Sequence, residues 1–357
     1  MRVAHVHRIR GIGGSERHLL TLLPALRALD VDARMVGLDD PVHGAPEPFY
    51  AALDEAGVPY VRLPGSRRLE PRALRALRRL DVDLLHTHLV HADLAGGLAR
   101  GGKRLVSTKH NDDPFRAGPF RYVERRLTHR AGRVITITDS LRRFCIDRVG
   151  LPADKVETVH YGLDAPPAAW GPNPDLDLPD GTRLLLSVSR LEPQKGVDVA
   201  LRALVRLPED TALVVLGEGP QRAELEALAR ELGVAERVRM PGRVGDVAAL
   251  LRQAELLVHP ARWEGFGLAI LEAMLCAKPV VAARVSSIPE LVVDGETGAL
   301  VPPDDVEALA TALVTLLEDP PQALALGEAG LRRAHERFSV ARMAARTAAI
   351  YGALSPT

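Results

Sequence analysis

The sequence predicts an α/β fold of two domains, each built around a parallel β-sheet. The chain has 357 residues, which is more than one ordinary core organises. Strand-like and helix-like segments alternate through both halves, and this alternation is typical of βαβ units with a parallel sheet. A polar, proline-rich stretch at residues 164–175 lies between the halves and has the composition of a linker.

The first half begins with a strand, a glycine turn and a helix. Residues 2–7 are strand-like, residues 11–14 form the turn, and from Glu16 onward leucines recur at helical spacing. Helical patterns lie between the later strands, which favours a parallel sheet. These strands are predicted at residues 33–37, 58–63, 84–86, 105–108 and 134–137.

The second half repeats the alternation without repeating the sequence. It opens on an apolar strand at residues 183–189, and a helix is predicted near the end of the chain, at residues 340–351. Two domains of this kind should place a ligand cleft at the carboxyl ends of both sheets. The remaining strands are predicted at residues 212–216, 238–240, 256–258 and 279–282.

The composition indicates a globular protein with an aliphatic core. Hydrophobic residues make up 46% of the chain and aromatic residues only 4%. Cys145 and Cys276 lack metal-ligand spacing, so we expect both to be reduced, buried thiols. The first residues lack the apolar stretch of a signal peptide, and no run approaches the roughly 18 apolar residues of a spanning helix. We therefore expect a cytoplasmic protein.

Charge is distributed unevenly along the chain. Up to Asp164 there are 27 Lys and Arg against 20 Asp and Glu, so the net charge of +7 there is balanced by −7 in the remainder. Basic residues cluster in two groups. The plain interpretation of these groups is a solvated charged face. The sharper interpretation is a surface that contacts anionic lipid at the inner face of the membrane or a phosphate-bearing acceptor. Nucleic acid is not expected, because aromatic residues are not interleaved. The groups are Arg67, Arg68, Arg72, Arg75, Arg78 and Arg79, and Arg121, Arg125, Arg126 and Arg130.

A pair of acidic residues around a glycine turn is the strongest single motif. Glu264 and Glu272 bracket the segment Gly265-Phe-Gly267-Leu268, which follows a strand and opens a helix. Free amides at a helix start bind oxygen atoms, and carboxylates accept hydrogen bonds from sugar hydroxyls. The plain alternative is a helix-start acid plus an ordinary exposed glutamate.

Two further loops have the residues of a phosphate site. Arg190 and Lys195 lie in a loop bracketed by proline and Gly196, where their fixed charges could offset the negative charge of a departing diphosphate. The amides of Gly13 and Gly14 stand after the first strand at a helix start. The plain interpretation of Arg190 and Lys195 is two solvated cations.

Together these residues resemble the retaining glycosyltransferases of family 4, which have the GT-B architecture of two Rossmann-like domains facing across a cleft. The resemblance covers nearly the whole chain. It implies an acceptor-side domain at residues 1–164, a linker at 165–180, a nucleotide-sugar domain at 181–337, and a terminal helix at about 338–357 packing back on the first domain. It rests on Gly13-Gly14, Arg190, Lys195-Gly196, Gly217-Glu-Gly219-Pro220 with Arg222, Gly242-Arg-Val244, and the acids Glu264 and Glu272.

The resemblance implies a role for each site residue. Arg190 and Lys195, with the Gly13 and Gly14 amides, would hold the donor diphosphate, and His110 would lie by the reacting sugar. No carboxylate matches a double-displacement nucleophile, so front-face transfer with retention is implied. Neither a metal nor a cofactor is expected, since the nucleoside-diphosphate sugar, UDP- or GDP-linked, is a co-substrate. Glu264 and the backbone of Gly265, Phe266, Gly267 and Leu268 would hold the sugar, Glu272 the ribose, and the main chain near Arg243 and Val244 would border the base.

The resemblance implies transfer of a hexose or N-acetylhexosamine to a glycan, a lipid-linked sugar or a small molecule. A non-hydrolysing sugar-nucleotide epimerase and an inactive sugar-nucleotide-binding protein remain alternatives.

His86, His88 and His91 could suggest a metal site, but they are interpreted as a strand end and helix start. Glu16 occupies the third glycine position of a dinucleotide fingerprint, which argues against NAD. Tyr161 stands where the family usually has Asn, and its role is open.

Overall fold

The computed structural model describes residues 1–39, 45–65, 70–112, 114–166, 169 and 171–354. The predicted basic residues Arg67 and Arg68 lie outside these ranges. The chain divides into two compact units: unit 1 combines residues 1–162 with the segment from Phe338 onward, and unit 2 runs from Leu163 to Arg337. The predicted α/β fold with two parallel sheets is confirmed.

Unit 1 is built on a parallel sheet with the strand order β3-β2-β1-β4-β5-β6-β7. Its helices connect the strands, so the carboxyl ends of all the strands meet at one edge of the sheet. The strands are β1 (Arg2–Ile9), β2 (Asp32–Asp39), β3 (Tyr60–Pro64), β4 (Leu84–His88), β5 (Arg104–Lys109), β6 (Arg133–Thr136) and β7 (Val156–Thr158). The helices are α1 (Gly14–Arg27), α2 (Glu47–Glu55), α3 (Pro71–Arg79), α4 (Leu89–Ala99), α5 (Arg121–Arg130) and α6 (Asp139–Arg143).

Unit 2 repeats this plan with the strand order β10-β9-β8-β11-β12-β13. Its strands are β8 (Arg183–Val188), β9 (Thr211–Leu216), β10 (Val238–Gly242), β11 (Leu256–His259), β12 (Val280–Ala283) and β13 (Ala299–Val301). Its helices are α7 (Val197–Leu204), α8 (Arg222–Glu231), α9 (Val247–Gln253), α10 (Leu268–Leu275), α11 (Ile288–Leu291), α12 (Val306–Glu318) and α13 (Pro320–Arg337). The last helix, α14 (Val340–Gly352), belongs to unit 1.

The apolar core of unit 1 is completed by the end of the chain. Helix α14 packs against α1, and its residues Met343, Ile350 and Tyr351 are buried in the same cluster as Leu19 of α1. Leucines at helical spacing on α1 supply the facing surface, because residues three and four apart share one side of a helix. Residues separated by most of the sequence therefore share one core.

Short edge strands and loop ends differ from the sequence-based expectations. The edge strands β7 and β13, which have three residues each, were not predicted, because so short a segment carries no detectable alternation. Strand β3 begins at Tyr60 instead of Val58, since Pro59 has no N–H to donate to a ladder. Cys145 is buried as expected, but the prediction for Cys276 is wrong: it lies half-buried where α10 ends.

Part of the stretch predicted as a linker packs along unit 2. The side-chain amide of Asn173 exchanges two hydrogen bonds of 2.8 Å with the backbone of Asp246, and the Arg239 guanidinium donates to the carbonyl of Leu176. This segment is therefore held along the edge of the unit. Within the described residues, the helices are too short or too polar to cross a bilayer.

Candidate functional site

A mostly enclosed ion pair lies at the carboxyl ends of the central strands of unit 2. The Lys195 ammonium donates to Glu264 Oε2 at 2.6 Å, and a ring nitrogen of His259 lies 3.0 Å from the same oxygen. The other carboxylate oxygen accepts the backbone N–H of Gly265 at 3.1 Å. Both partners of the pair are mostly enclosed, with side-chain exposures of 12% for Lys195 and 11% for Glu264. The sequence-based prediction had placed these two residues in one site without predicting their contact.

Glu264 is ionised in this arrangement. Burial alone would raise the pKa of its carboxyl group, but the hydrogen bond with His259 and the positive charge of Lys195 outweigh burial and lower the pKa to about 2. An ionised carboxylate only accepts hydrogen bonds. Among the described residues, Oε1 of Glu264 accepts only the Gly265 N–H, so this atom retains a lone pair for a hydroxyl donor.

The loop that carries Lys195 is locked against the loop that carries Glu264. Gly196 has a φ of +64°, and a Cβ at this position would lie 2.1 Å from the carbonyl oxygen of Pro260. The Gln194 side chain donates to the carbonyl of Trp263 at 2.9 Å, and the Arg262 N–H donates to the carbonyl of Gln194 at 2.8 Å. Only glycine allows this left-handed turn with so close a backbone approach. The ammonium of Lys195 is thereby brought to Glu264.

The turn between Glu264 and α10 is held by glycine geometry and by one serine. Gly267 precedes the helix with a φ of +100°, which an L side chain rarely adopts. The fully buried Ser287 hydroxyl lies 3.1 Å from the carbonyl oxygens of both Glu264 and Phe266. The Ser287 hydroxyl thus holds the turn in place. Gly265 is half-buried, Phe266 is buried, and Leu268 is half-buried at the first position of the helix.

Glu272 is not the exposed glutamate of the plain alternative. It lies in the second turn of α10 and is only 1% exposed. Carboxylates are seldom fully buried unless they are paired. The plain interpretation of this residue is therefore wrong, whereas its contact with a ribose stays a prediction.

The remaining predicted donor residues of unit 2 lie on neighbouring loops at the same sheet edge. The Arg190 side chain is 64% exposed and donates to Glu192 at 2.6 Å. Arg243 is exposed and Val244 is buried. The Gly217-Glu-Gly219 segment packs on the turn after β8, where Cβ atoms at Gly217 and Gly219 would lie 2.1 and 2.2 Å from carbonyl oxygens. Arg190 and Lys195 are therefore not equivalent, because only Lys195 is drawn into the buried cluster.

In unit 1 the Gly13-Gly14 turn is exposed at the start of α1. The Gly13 N–H donates to Glu16 Oε2 at 3.1 Å, and Glu16 Oε1 lies 3.2 Å from a ring nitrogen of His7. Burial tends to raise the pKa of Glu16, but its bond with His7 outweighs burial and lowers the pKa. An anion at this turn would therefore meet an ionised carboxylate already bound to one of the predicted amides.

His110 lies at the carboxyl end of β5 and both of its ring nitrogens are engaged. Nε2 lies 3.0 Å from Nδ1 of His88, and Nδ1 is hydrogen-bonded to the Tyr161 hydroxyl. The ring is buried, and burial lowers the pKa of His110 well below its usual value, so the imidazole is neutral. A hydrogen bond from this ring to a sugar would require one of the two partners to be exchanged.

Two of the three histidines considered as metal ligands, His86 and His88, belong to this same buried region. Ring nitrogens of His5, His86 and His88 lie within 4.8 Å of one another, whereas His91 is not part of the group. These nitrogens bond to each other and to hydroxyl groups, as in the 3.0 Å contact between His5 and His88. The arrangement is accounted for by hydrogen bonds between neutral rings.

Three residues of the site in unit 2 were missed by the sequence-based prediction: His259, Ser287 and Gln194. His259 had a usable signal, because it ends strand β11 five residues before Glu264. Ser287 and Gln194 had none, since their side chains act on backbone groups far away in sequence. The structure thus brings Lys195, His259 and Glu264 together in unit 2. The residues Gly13, Gly14 and His110 belong to unit 1.

Two family profiles match the chain. Residues 12–165 match the family described as Glycosyltransferase Family 4, and residues 173–333 match Glycosyl transferases group 1. A GDP-mannose-dependent alpha-(1-6)-phosphatidylinositol monomannoside mannosyltransferase of Mycolicibacterium smegmatis is 33% identical over 71% of this chain and 72% of its own length. An alpha-maltose-1-phosphate synthase of the same organism is 31% identical over 96% of each chain.

Solved structures share the fold. The Anabaena protein HepE, determined in complex with UDP-glucose, superposes with a TM-score of 0.85 at 23% identity, covering 99% of this chain and 100% of that one. This likeness extends over both α/β units.

Proposed function

Because the chain belongs to the family 4 glycosyltransferases with the GT-B fold, we propose that it transfers a hexose or N-acetylhexosamine with retention, from a UDP- or GDP-linked donor. Glycosyl transfer from a nucleotide sugar is what the family does. The donor, the stereochemistry and the acceptor are our proposal, and GDP-mannose is the first donor to test, since a relative at 33% identity is named for it.

The observation that carries the proposal is the mostly enclosed contact between Lys195 and Glu264. A sugar hydroxyl would donate to Oε1 of Glu264, which accepts only one hydrogen bond among the described residues. Arg190, whose side chain is 64% exposed, would meet the diphosphate first, and Lys195 would offset the charge that develops on it. The Gly265–Leu268 amides, Glu272, and the Arg243–Val244 main chain would complete donor binding.

Retention follows if the acceptor attacks from the face that the diphosphate leaves. The bond between the anomeric carbon and the diphosphate oxygen breaks as a bond to the acceptor oxygen forms, and the acceptor's proton passes to the departing phosphate oxygen. His110 would lie beside the reacting sugar. This chemistry needs stabilised negative charge on the leaving group, which the cations and amides would supply without a metal. An epimerase would instead convert the donor with no acceptor present.

The charge of Lys195 can be tested by comparing two variants of unit 2. Lys195→Ala should lower kcat by roughly a hundredfold, because an offset charge is lost at the leaving group. Arg206→Ala removes an exposed cation that pairs with Glu307, and it should leave kcat within about twofold. Release of GDP or UDP from matching nucleotide sugars would be measured with and without acceptor. Equal activity in Lys195→Ala and wild type would contradict the assignment.

Donor identity can be screened before any acceptor is known. GDP, UDP, ADP and dTDP would be added to the protein, and the nucleotide that fits should raise Tm by mass action. The same nucleotide should raise the Tm of Lys195→Ala less. Failure of all four to shift Tm at millimolar concentration would contradict nucleotide binding by this chain.

The basic face of α5 supports an anionic acceptor or membrane surface as a second part of the proposal. Tyr122 is 61% exposed and Val123 is 42% exposed, while Glu124 of the same helix is buried. Arg125, Arg126 and Arg130 line a groove beside Tyr122. Exposed apolar and cationic side chains on one helix suit a phosphate-bearing headgroup. The named acceptor of one relative is a phosphatidylinositol monomannoside, which has this chemistry.

Vesicle sedimentation tests this surface separately from catalysis. Binding to vesicles with about a third anionic lipid should exceed binding to neutral vesicles and should fall with salt. A variant with Arg125→Gln, Arg126→Gln and Arg130→Gln should lose the preference, whereas Arg206→Ala should keep it. Equal sedimentation with both vesicle types would contradict a membrane contact and leave a small phosphorylated acceptor as the ligand of α5.

A further inference from the structure

Unit 1 contains a continuous run of buried hydrogen-bonded groups that passes through His110 and ends at Tyr161. Each member is within hydrogen-bond distance of the next, and every histidine in the run is fully buried or nearly so. We call this run the histidine chain. Its members, in order of contact, are Thr108, His86, Tyr351, His5, His88, His110 and Tyr161.

The contacts along the histidine chain alternate between the two nitrogens of each ring. His86 Nε2 lies 2.7 Å from the Thr108 hydroxyl and its Nδ1 lies 2.5 Å from the Tyr351 hydroxyl. The Tyr351 hydroxyl also lies 3.2 Å from His5 Nε2. His5 Nδ1 lies 3.0 Å from His88 Nε2, and His88 Nδ1 lies 3.0 Å from His110 Nε2. In every ring, therefore, Nε2 faces Thr108 along the chain and Nδ1 faces Tyr161.

All four imidazoles of the histidine chain are neutral. Burial lowers the pKa of His5 to about 3, and burial lowers the pKa values of His86, His88 and His110 well below the usual value. A neutral imidazole has one N–H and one bare nitrogen, so it donates on one side and accepts on the other. Likewise, the single hydroxyl proton of Tyr351 can be donated to only one of its two histidine neighbours.

Because each ring has one N–H and Tyr351 has one proton, only two proton arrangements make every link of the histidine chain a hydrogen bond. If the His86 Nδ1–H donates to Tyr351, then Tyr351 donates to His5, and each ring in turn donates from Nδ1 as far as Tyr161. If Tyr161 donates to His110 instead, each ring donates from Nε2 as far as Thr108. A mixed pattern places two N–H groups or two bare nitrogens against each other, or, at Tyr351, leaves the hydroxyl proton or a ring nitrogen without its partner. Each such break leaves a buried polar atom without a hydrogen bond.

We propose that the histidine chain is a positioning device for His110: its four imidazoles share one tautomer, and the hydroxyls at its two ends decide which nitrogen of His110 carries the proton. The device joins three strands to the terminal helix, because Tyr351 lies on α14 while the histidines lie on β1 and β4 and at the end of β5. The members other than His110 act through their neighbours and are positioning residues.

The shared tautomer matters for the proposed reaction, and this step rests on the proposed role of His110. Nε2 of His110 faces the fully buried His88 inside the chain, whereas Nδ1 faces the end group Tyr161, which is itself only 4% exposed. A sugar hydroxyl would therefore bond to Nδ1 by displacing Tyr161. With the proton on Nδ1 the ring donates to that hydroxyl, and with the proton on Nε2 it accepts. The end groups would therefore select between two opposite hydrogen bonds to the sugar.

Removing either end hydroxyl should leave only one of the two proton arrangements possible. In Thr108→Val, a proton on His86 Nε2 would have no acceptor. Every ring N–H finds an acceptor only if all four rings carry their proton on Nδ1. In Tyr161→Phe the same reasoning places it on Nε2 of all four rings. The wild type should show one of these two shared patterns. Nitrogen shifts and two-bond couplings of isotope-labelled histidines would report each tautomer.

Cutting the histidine chain in the middle is the control for transmission. With Phe at position 351, the rings on the two sides no longer share a hydroxyl. The double variant Thr108→Val/Tyr351→Phe should therefore have the same His110 tautomer as Tyr351→Phe alone. Thr108→Val by itself should instead place the His110 proton on Nδ1. Tyr50→Phe removes a different buried tyrosine hydroxyl of unit 1, which bonds to Asp39, and should change no tautomer in the chain.

The activity measurement separates this device from the proposed function. The variant that reverses the wild-type tautomer of His110 should lose roughly tenfold in kcat with the donor KM within about twofold, since the ring then presents the wrong group. Tyr50→Phe should keep its kcat. If the tautomers behave as stated but kcat does not follow them, the role for His110 is wrong. If the wild type transfers no sugar, the proposed function fails while the nitrogen spectra still decide the proton order.

Two results would overturn the shared tautomer itself. One is a mixture of tautomers among the four rings of the wild-type protein. The other is a metal retained at one equivalent with nitrogen shifts of ligated imidazole at His5, His86 and His88, whose ring nitrogens are close enough to converge on an ion. If Thr108→Val unfolds unit 1, Tyr161→Phe tests the same chain from its other end.

Discussion

At the scale of single residues, the site in unit 2 depends on where one backbone carbonyl lies. Lys195 reaches Glu264 because Gly196, which follows it, packs so close to Pro260 that a Cβ there would lie 2.1 Å from the Pro260 carbonyl oxygen. The contact places an ammonium and a carboxylate side by side in a mostly enclosed site. Glycine at position 196 is therefore part of the site, although it has no functional group of its own.

Gly196→Ala should displace the Lys195 loop. Gly233 offers a matched control, since its φ of +71° is similar to the +64° of Gly196 but nothing lies within 4 Å of its added Cβ. Gly233→Ala should cost about 1 kcal/mol in the free energy of unfolding, from the left-handed backbone alone. Gly196→Ala should cost at least about 2 kcal/mol more and lower the affinity for the nucleotide. Urea unfolding and nucleotide titration would measure both, and equal losses in the two variants would contradict a role for the Pro260 contact.

At the scale of elements, a buried ion cluster ties α4, β5 and α5 together beside His110. Lys109 lies 2.6 Å from Asp93 on α4 and 3.0 Å from Glu124 on α5, and Arg116 also pairs with Glu124. All four side chains are almost completely buried. Burial alone would raise the pKa of Glu124, but the charge of Lys109 and the bond from Arg116 lower it to about 2. The cluster holds two positive and two negative groups, so its charges balance.

Glu124→Gln should destabilise unit 1 by about 3–5 kcal/mol, because two buried cations lose their shared partner. Glu157→Gln, which removes a half-exposed partner of Arg133, should cost less than about 1 kcal/mol. The folded-state pKa of Glu124 is depressed, so its contribution is present above the unfolded-state pKa near 4.5 and is lost as pH falls toward 2. The gap between Glu124→Gln and wild type, measured by urea unfolding, should narrow as the pH is lowered from 6 to 3.5. A constant gap would contradict ionisation of Glu124.

At the scale of the whole molecule, the chain crosses between its units twice. Unit 1 begins the chain and also takes back its last helix, whose Tyr351 is fully buried in the core of that unit. The middle of the chain forms unit 2 with a sheet and a core of its own. The core of unit 1 is therefore built from segments that are far apart in the sequence, whereas the core of unit 2 comes from one continuous segment.

Ending the chain at Arg337 should unfold unit 1 and leave unit 2 folded. The truncation removes α14 and exposes the apolar side of α1. Hydrogen exchange should show loss of protection in β1, β4 and β5, while β8, β9 and β11 stay protected. A control that ends at Leu354 keeps all of α14 and should retain both units. Protection of β1 without α14 would contradict a structural role for this helix.

Much of the fold was predictable because it follows from local patterns. The long strands β1, β2, β8 and β9 alternate with helices, and this alternation implies parallel sheets. The edge strands β7 and β13 were not predictable, because three residues carry too little pattern. In the site, Lys195 and Glu264 could be proposed from their motifs, but Ser287 could not, since it acts only on backbone carbonyls.

The sequence by itself determined the α/β class, the two parallel sheets, the family, and the loops that carry the candidate donor residues. These depend on periodicity and on short motifs, which neighbouring residues encode. Only the tertiary structure decided that Lys195 and Glu264 form a mostly enclosed pair, that Glu272 is buried, and that Tyr351 lies within hydrogen-bond distance of His5 and His86. Contacts of this kind join residues that are far apart along the chain, and they exist only once the strands and helices of each unit have packed around its core.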